Sequence, residues 1–354
     1  MVADLKKFTK FQIASAFAGS ILGAGFLSGQ ELYQFFGKFG KEGIYGMLIA
    51  IVLFGLLGTM VMKISKLGEL DHFEDVIIGR DFKFVKKIIR YGIMLFLLCV
   101  VLIMTAGAGT LITEIFGLPM VLSRVLISAL IIIVTIRGAS GVVKVFSTLV
   151  PVIILGGIAI SLCSFHELGF GAFPEGIGGG HLITGNFLFS TISFVSYNIF
   201  ASIIILSTMA RSSDEKTIEG GMILGSLSLG SIFAFLLMPI ILHQPLIIDS
   251  QMPIITIAEK IHPMLKTIYG LLLICGMFST AISCNYGFHE RAGSIKNKKK
   301  GRVILFGLVI LLLSFVEFKK LVAFIYPIFG NIGILCMLGI IDHYFQVARQ
   351  EKIA

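Results

Sequence analysis

Gly19-Ser20-Ile21-Leu22-Gly23-Ala24-Gly25-Phe26-Leu27-Ser28-Gly29-Gln30-Glu31 sits in the middle of the first apolar segment of the chain. Lipid offers no hydrogen bonds, so a spanning helix carries polar groups only where they are satisfied or used. Here several glycines, two serines, a glutamine and a carboxylate share one segment. Gly23-Ala24-Gly25 lowers the cost of leaving α-geometry, so a local break that frees carbonyls and amides is one reading. Close helix packing is the other, because Gly19/Gly23 and Gly25/Gly29 both have small-xxx-small spacing.

The composition decides that this is a membrane problem. Hydrophobic residues make up 56% of the 354 residues, charged residues 14%, and the mean hydropathy is +0.97. That leaves too little polar surface for a soluble globular chain. The formal charge of +9 is read as membrane topology and not as a nucleic-acid footprint. Cys99, Cys163, Cys275, Cys284 and Cys336 all lie in apolar runs, which argues against a disulfide framework or a zinc site. Lys6, Lys7 and Lys10 before an apolar run resemble a cleavable signal, but the run continues and further hydrophobic segments follow, so a retained first helix is expected.

With ~20 apolar residues needed to cross the hydrocarbon core, ten spans are expected at roughly 11–36, 43–64, 89–115, 118–137, 142–165, 186–209, 218–242, 262–287, 302–316 and 321–346. An inside amino terminus leaves only Lys38, Lys41, Arg124, Lys260, Lys266, Lys319 and Lys320 on the outer face, which places both termini in the cytoplasm. The outer loop 166–185, rich in Gly and Pro, divides the chain into residues 1–165 and 166–354. Five spans on each side make the second half inverted relative to the first, within a single membrane domain. A second outer loop, 243–261, is placed to cap a pathway.

The string Gly19–Phe26 resembles the broken first helix of transporters with the LeuT fold, in the amino acid–polyamine–organocation (APC) superfamily. Continued through Leu27-Ser28-Gly29-Gln30-Glu31 and Phe35-Phe36-Gly37-Lys38-Phe39-Gly40, it is still more similar to the YkvI group of bacterial membrane proteins. The resemblance implies an all-α protein of ten transmembrane helices in a 5+5 inverted repeat, with helices 1 and 6 discontinuous. It also implies a substrate site at Gly23, Ala24, Gly25 and Phe26 facing Thr191, Ser193, Phe194, Ser196 and Tyr197. A sodium site is implied between the first and eighth spans, from the carbonyls of Gly19, Leu22 and Gly276 and the hydroxyls of Ser279 and Thr280. Those hydroxyls can equally bond within their own helix.

In the sixth span this sequence departs from the family pattern: Ser193-Phe194-Val195-Ser196-Tyr197-Asn198 stands where relatives carry a Gly-x-Gly break. Serine and asparagine can unwind a helix through competing bonds, less freely than glycine. Phe194 reads either as an aromatic gate or as packing. Glu31 has two readings as well. It is a seat for a proton, a cation or a basic substrate, or it is an interfacial carboxylate paired with Lys38 or Lys41.

Three function classes follow. The first is a secondary transporter of a small solute, an amino acid, amine or related compound, in a bacterial plasma membrane, with Na+ or H+ as coupling ion and no other cofactor. The second is a germinant-receptor-like nutrient sensor that kept the fold without flux. The third, an intramembrane enzyme, is disfavoured: His166-Glu167-Leu168-Gly169-Phe170 lacks the second histidine of a zinc motif, and neither a Gly-x-Ser-x-Gly nor a phosphate loop occurs. The expected partners are the lipid bilayer and the solute, not nucleic acid.

Overall fold

The structure is a computed structural model that describes residues 8–67, 73–79, 82–137, 150–170, 173–174, 176, 185–292 and 300–351. The first eight residues of the expected fifth span (142–149), and most of the loop 166–185, lie outside them. The first span is three helices, α1 (Lys10–Ile21), α2 (Ala24–Leu27) and α3 (Gln30–Phe35), followed by a 3-10 turn, Gly37–Phe39. Then come α4 (Lys41–Leu67), α5 (Phe73–Ile77), α6 (Lys83–Phe116), α7 (Met120–Arg137), α8 (Val150–Glu167), α9 (Phe187–Ala210), α10 (Glu215–Leu242), α11 (Gln244–Ile247), α12 (Pro253–Ile261), α13 (Pro263–Arg291), α14 (Lys300–Leu313) and α15 (Phe318–Glu351).

Among the described residues, eight helices are long and apolar enough to cross a membrane: α4, α6, α7, α8, α9, α10, α13 and α15. The other two expected spans are the interrupted rod α1–α3 and α14, whose 14 residues reach only about 21 Å at helical rise. Broken helices at bilayer depth are tolerated where they border protein or a cavity, which is where α1–α3 lies.

Helix α9 runs along α4 and α15, while α1 packs on α10 and α9, and α4 on α10. These elements form a bundle beside a scaffold in which α6 lies along α13 and α7, and α14 along α7. Contacts come in matched pairs: α9 on α4 is mirrored by α1 on α10, α8 on α10 by α15 on α4, and the lid α5 on α15 by the lid α12 on α8. Helix α9 is extensively packed on α15; of the corresponding fifth span only the part from Val150 on is described, and span 1 meets that part through the short α2.

The α9–α15 contact is tight because α15 presents backbone there. A Cβ on Gly330 would collide with Ser193, and one on Gly333 would lie 2.9–3.0 Å from Ser196 and the Tyr197 nitrogen. The rings of Tyr197 and Tyr326 stack at 5.0 Å and 7° between the same helices.

The expected break in the sixth span is absent: α9 is uninterrupted over 24 residues. Its polar side chains bond back along their own helix. Thr191 donates to Phe187 O (2.8 Å), Ser196 to Ile192 O (2.6 Å), Asn198 to Phe194 O (2.9 Å) and Ser202 to Asn198 O (2.7 Å). Bonds to the i−4 carbonyl leave the backbone ladder intact, so Ser196 and Asn198 are satisfied here without unwinding, while the Ser193 hydroxyl has no partner among the described residues.

Span 1 is broken twice. The second break turns on Gly29 at φ 84°, a left-handed conformation that a side chain disfavours. Every carbonyl freed there finds a donor: Leu27 O receives the Tyr269 hydroxyl (2.9 Å), Ser28 O the Ile254 amide (3.1 Å) and Phe26 O the Gly29 amide (3.0 Å). Gly29 also lacks room, since a Cβ would sit 2.9 Å from Ile254 Cγ1 and 3.0 Å from Ile240 Cδ1. Gly23 has φ −74°, and a Cβ there would meet nothing closer than 4.0 Å. Gly29→Ala is therefore expected to lower the thermal midpoint of the detergent-solubilised protein by several degrees, from a backbone cost of about 1–2 kcal/mol plus overlap. Gly23→Ala should leave it within about a degree. Equal effects in the two variants would refute this assignment of roles.

Candidate functional site

The first break is an inverse γ-turn centred on Leu22 (φ −73°, ψ 61°), closed by the Gly23 amide on Ile21 O at 2.7 Å. No donor among the described residues reaches the carbonyls of Gly19, Ser20 or Leu22. The space beside Gly19 and Gly23 is open, so these two glycines do not serve helix packing. Gly25 differs, because a Cβ there would fall on the Glu31 carboxylate.

A cavity of about 220 Å³ lies against this break. Ser20, Ile21, Gly23, Gly25 and Glu31 of span 1 line one side; Ile93, Phe96, Leu97, Val100 and Met104 of α6 line another. Tyr197, Asn198, Phe200, Ala201 and Ile204 of α9, Thr280 and Cys284 of α13, and Tyr326 of α15 complete it. Ala201 and Ile204, on the half of α9 toward the inner face, are both lining and exposed. Toward the outer face Phe26, Phe35, Phe36, Phe194 and Phe233 are all buried and in ring contact, with Phe194 touching each of the other four. The cavity therefore opens inward and is sealed outward by an aromatic plug.

Among the described residues, Glu31 is the only carboxylate in the lining, which contains no Lys or Arg. Its side chain is buried, and the Tyr197 hydroxyl donates to Oε2 at 2.7 Å. Two glycines make this possible. Gly29 redirects the chain so that α3 starts at Gln30, and the missing side chain of Gly25 leaves the volume that the carboxylate fills. Glu31 forms no ion pair with Lys38 or Lys41; Lys38 lies instead over the Phe39 ring at 5.1 Å.

The structure thus brings together Gly23, Gly25, Glu31, Tyr197 and Thr280 of the residues expected from sequence. It places the others elsewhere. Phe26 and Phe194 belong to the plug, and Ala24 faces Gly276 across α13, 3.3 Å from where a Cβ on that glycine would stand. Thr191 abuts Gly46, Ser193 Gly330 and Ser196 Gly333. Of the expected ion ligands, Gly19 and Leu22 offer free carbonyls, Ser279 is buried, and Thr280 lines the cavity while donating to Gly276 O at 3.0 Å.

Sequence reading missed Ser20, Phe96, Met104, Asn198, Cys284 and Tyr326. The signal for the α9 residues was helical period. In an unbroken helix Tyr197, Ala201 and Ile204 fall on one face, with Asn198 at its edge and Ser196 turned away from it. Ser20 and Ser202 bring their hydroxyls to 2.8 Å at the inner rim, which joins α1 to α9.

No family model matches the chain. It is 26% identical over 341 residues to the uncharacterized membrane protein YkvI of Bacillus subtilis (94% of this chain, 95% of that one). It is 24% identical over 331 residues to the uncharacterized protein YyaD of the same organism (90% and 93%). Among solved structures, the inward-facing conformation of Mhp1 aligns with a TM-score of 0.65 at 15% identity, covering 97% of this chain and 78% of that one. Mhp1 is a nucleobase-cation-symport-1 family transporter, and its closed form with bromovinylhydantoin bound aligns at 0.58, with 16% identity and coverage of 90% and 75%. The Eremococcus coleocola manganese transporter, in complex with an aromatic bis-isothiourea substituted compound, aligns at 0.58, with 15% identity and coverage of 91% and 76%. The chain is a multi-pass protein of the bacterial plasma membrane with the LeuT fold.

A hydrogen bond to a buried carboxylate contributes about 1.5–3 kcal/mol. Tyr197→Phe, which keeps the ring stack on Tyr326, is expected to lower the thermal midpoint by several degrees in neutral detergent buffer. A midpoint equal to that of the unaltered protein would show that the Tyr197–Glu31 bond is not held in solution.

Proposed function

We propose that this protein is a secondary transporter that moves a small, mostly apolar solute carrying a protonated amine, with Glu31 as the shared seat of solute and proton. The observation that carries the reading is the lone carboxylate in an inward-open cavity at the broken span. At about 30 Å³ per water, the cavity would hold on the order of seven waters or one compact solute. Ile21, Ile93, Val100, Met104 and Phe200 supply apolar wall, and Phe96 an aromatic face for a cation.

A carboxylate in such surroundings is costly unless protonated or paired. An arriving ammonium would supply the pair and release the proton, and a departing one would call the proton back. Exchange of the two cations at one oxygen pair couples their movements without a second site. A transition-metal cargo is less suited: among the described residues no three His, Cys, Asp or Glu side chains converge.

The matched contacts support reading residues 1–165 and 166–354 as inverted repeats. The tight α9 on α15 contact, beside a cavity at the break of α1, supports alternating access. Free carbonyls at Gly19 and Leu22 near Thr280 favour a second reading of the coupling ion, sodium held by oxygen ligands between α1 and α13.

Uptake of a panel of primary amines and amino acids into proteoliposomes, under an imposed proton gradient, sodium gradient or neither, tests both. Proton-driven amine flux is expected in the unaltered protein. Glu31→Gln should cut it at least 100-fold, while the double variant Ser279→Ala/Thr280→Ala leaves it intact. Flux and pH profile unchanged in Glu31→Gln would refute the proposal. Sodium-stimulated flux lost in the double variant would transfer coupling to the α1–α13 oxygens. Ligand binding with no flux under any gradient would favour a sensor.

A further inference from the structure

Outside the cavity lining, one guanidinium stands in the scaffold without an opposite charge among the described residues. Arg124, in the second turn of α7, is fully buried (0% exposed). Its Nη2 donates to the Thr110 hydroxyl of α6 at 3.1 Å, while Nε and Nη1 have no partner. The side chain lies across Gly109, and a Cβ there would collide with Arg124 Cδ, so α6 has a glycine where the guanidinium stem crosses it. One turn above, Thr113 donates to Ser123 Oγ at 2.9 Å and holds the two helices in this register.

A second orphan shares the face. Ser128, one turn beyond Arg124 on α7, is buried and its hydroxyl has no partner either. Its neighbours on the same helix behave otherwise, because Ser123 and Thr135 both donate to their own i−4 carbonyls. The Ser128 hydroxyl is thus left free for a group outside the helix. No described carboxylate fills the gap. Glu114, one turn past Thr110, is in electrostatic range of Lys266 and Glu259, and Glu259 is itself paired with Lys266 at 2.7 Å.

Burying an unpaired cation costs several kcal/mol, and water can satisfy its N–H groups without neutralising it. We infer that Arg124 and Ser128 bind a small inorganic anion of chloride size between α6 and α7. A lipid phosphate does not suit this place, since no part of the guanidinium is exposed to reach one. The donor set is that of an anion site: the guanidinium Nε and Nη1, and a hydroxyl one turn on along the same face of α7, are buried with no acceptor of their own. The bound anion would tie span 4 to span 3, on the side of the fold that stays fixed while α1 moves.

Thermal unfolding of the full-length, detergent-purified protein provides the test, with sodium chloride titrated against sodium gluconate at constant ionic strength after exhaustive dialysis into gluconate. Binding to the folded state alone raises the midpoint logarithmically above the dissociation constant. A saturable rise of several degrees in chloride, reproduced by bromide, is expected. Arg124→Gln should abolish the response, and Ser128→Ala, which keeps the guanidinium, should move the chloride midpoint about tenfold higher. Identical melting in chloride and gluconate would overturn the inference. So would a full chloride response in Arg124→Gln, or an unshifted chloride midpoint in Ser128→Ala.

Discussion

Backbone groups at bilayer depth have nothing to bond to but protein, and this protein treats its two interruptions of span 1 in opposite ways. At Gly29 the freed carbonyls are taken by Tyr269, Ile254 and the Gly29 amide itself, so α2 and α3 are fastened to α12 and α13. At Leu22–Gly23 the turn closes one bond and leaves the carbonyls of Gly19, Ser20 and Leu22 without donors, beside an open cavity. A satisfied break is a structural corner. An unsatisfied one in contact with water is a place where a ligand or ion gains by binding, and it is also where α1 is least firmly attached.

The fastened break serves the open one through Glu31. If α2 ran on into α3, residue 31 would project along a continuous helix face; the left-handed turn at Gly29 instead lets its carboxylate fold over Gly25 and meet Tyr197. Tyr197 is in turn stacked on Tyr326, whose helix is held against α9 by Gly330 and Gly333. The position of one carboxylate therefore rests on glycines in two spans. At Gly29 the glycine supplies a torsion; at Gly25, Gly330 and Gly333 it supplies space.

Much of this was legible in the sequence, for physical reasons that also explain what was not. Hydropathy and charge asymmetry located the spans because each reports burial or topology directly. The polar string around Gly23 located the cavity because polar groups in lipid must be used. Of the residues expected to face a solute on the sixth span, Tyr197 lines the cavity and Thr191, Ser193, Phe194 and Ser196 lie outside it. Ser193 and Ser196 were read as unwinding residues, whereas Ser196 bonds back to Ile192 and both serines face the glycines of α15, so α9 stays whole and turns Tyr197, Asn198 and Ala201 to the cavity. Local propensity does not reveal whether an i−4 carbonyl or a solute will claim a hydroxyl. The ring partners of Phe194 come from span 1, α4, α9 and α10, so its place in the plug depended on tertiary packing that no single segment encodes.

The same anchoring dictates which part moves. Because α2 and α3 are bonded to α12 and α13, a shift of the whole of span 1 would break the Ile254–Ser28 and Tyr269–Leu27 bonds and leave four polar groups bare in a low-dielectric interior. A swing of α1 alone about Leu22–Gly23 breaks, of these hydrogen bonds, only the γ-turn bond and the Ser20–Ser202 contact, and otherwise shifts the apolar packing of α1 on α9 and α10. In the proposed transport cycle, closing the inner side means swinging α1 over the cavity beside it. Opening the outer side means parting α9 from α15 at Gly330 and Gly333 and splitting the rings around Phe194. Each movement removes contacts that the other restores, so the two states can lie close in energy while the intermediate with both sides open forfeits both sets.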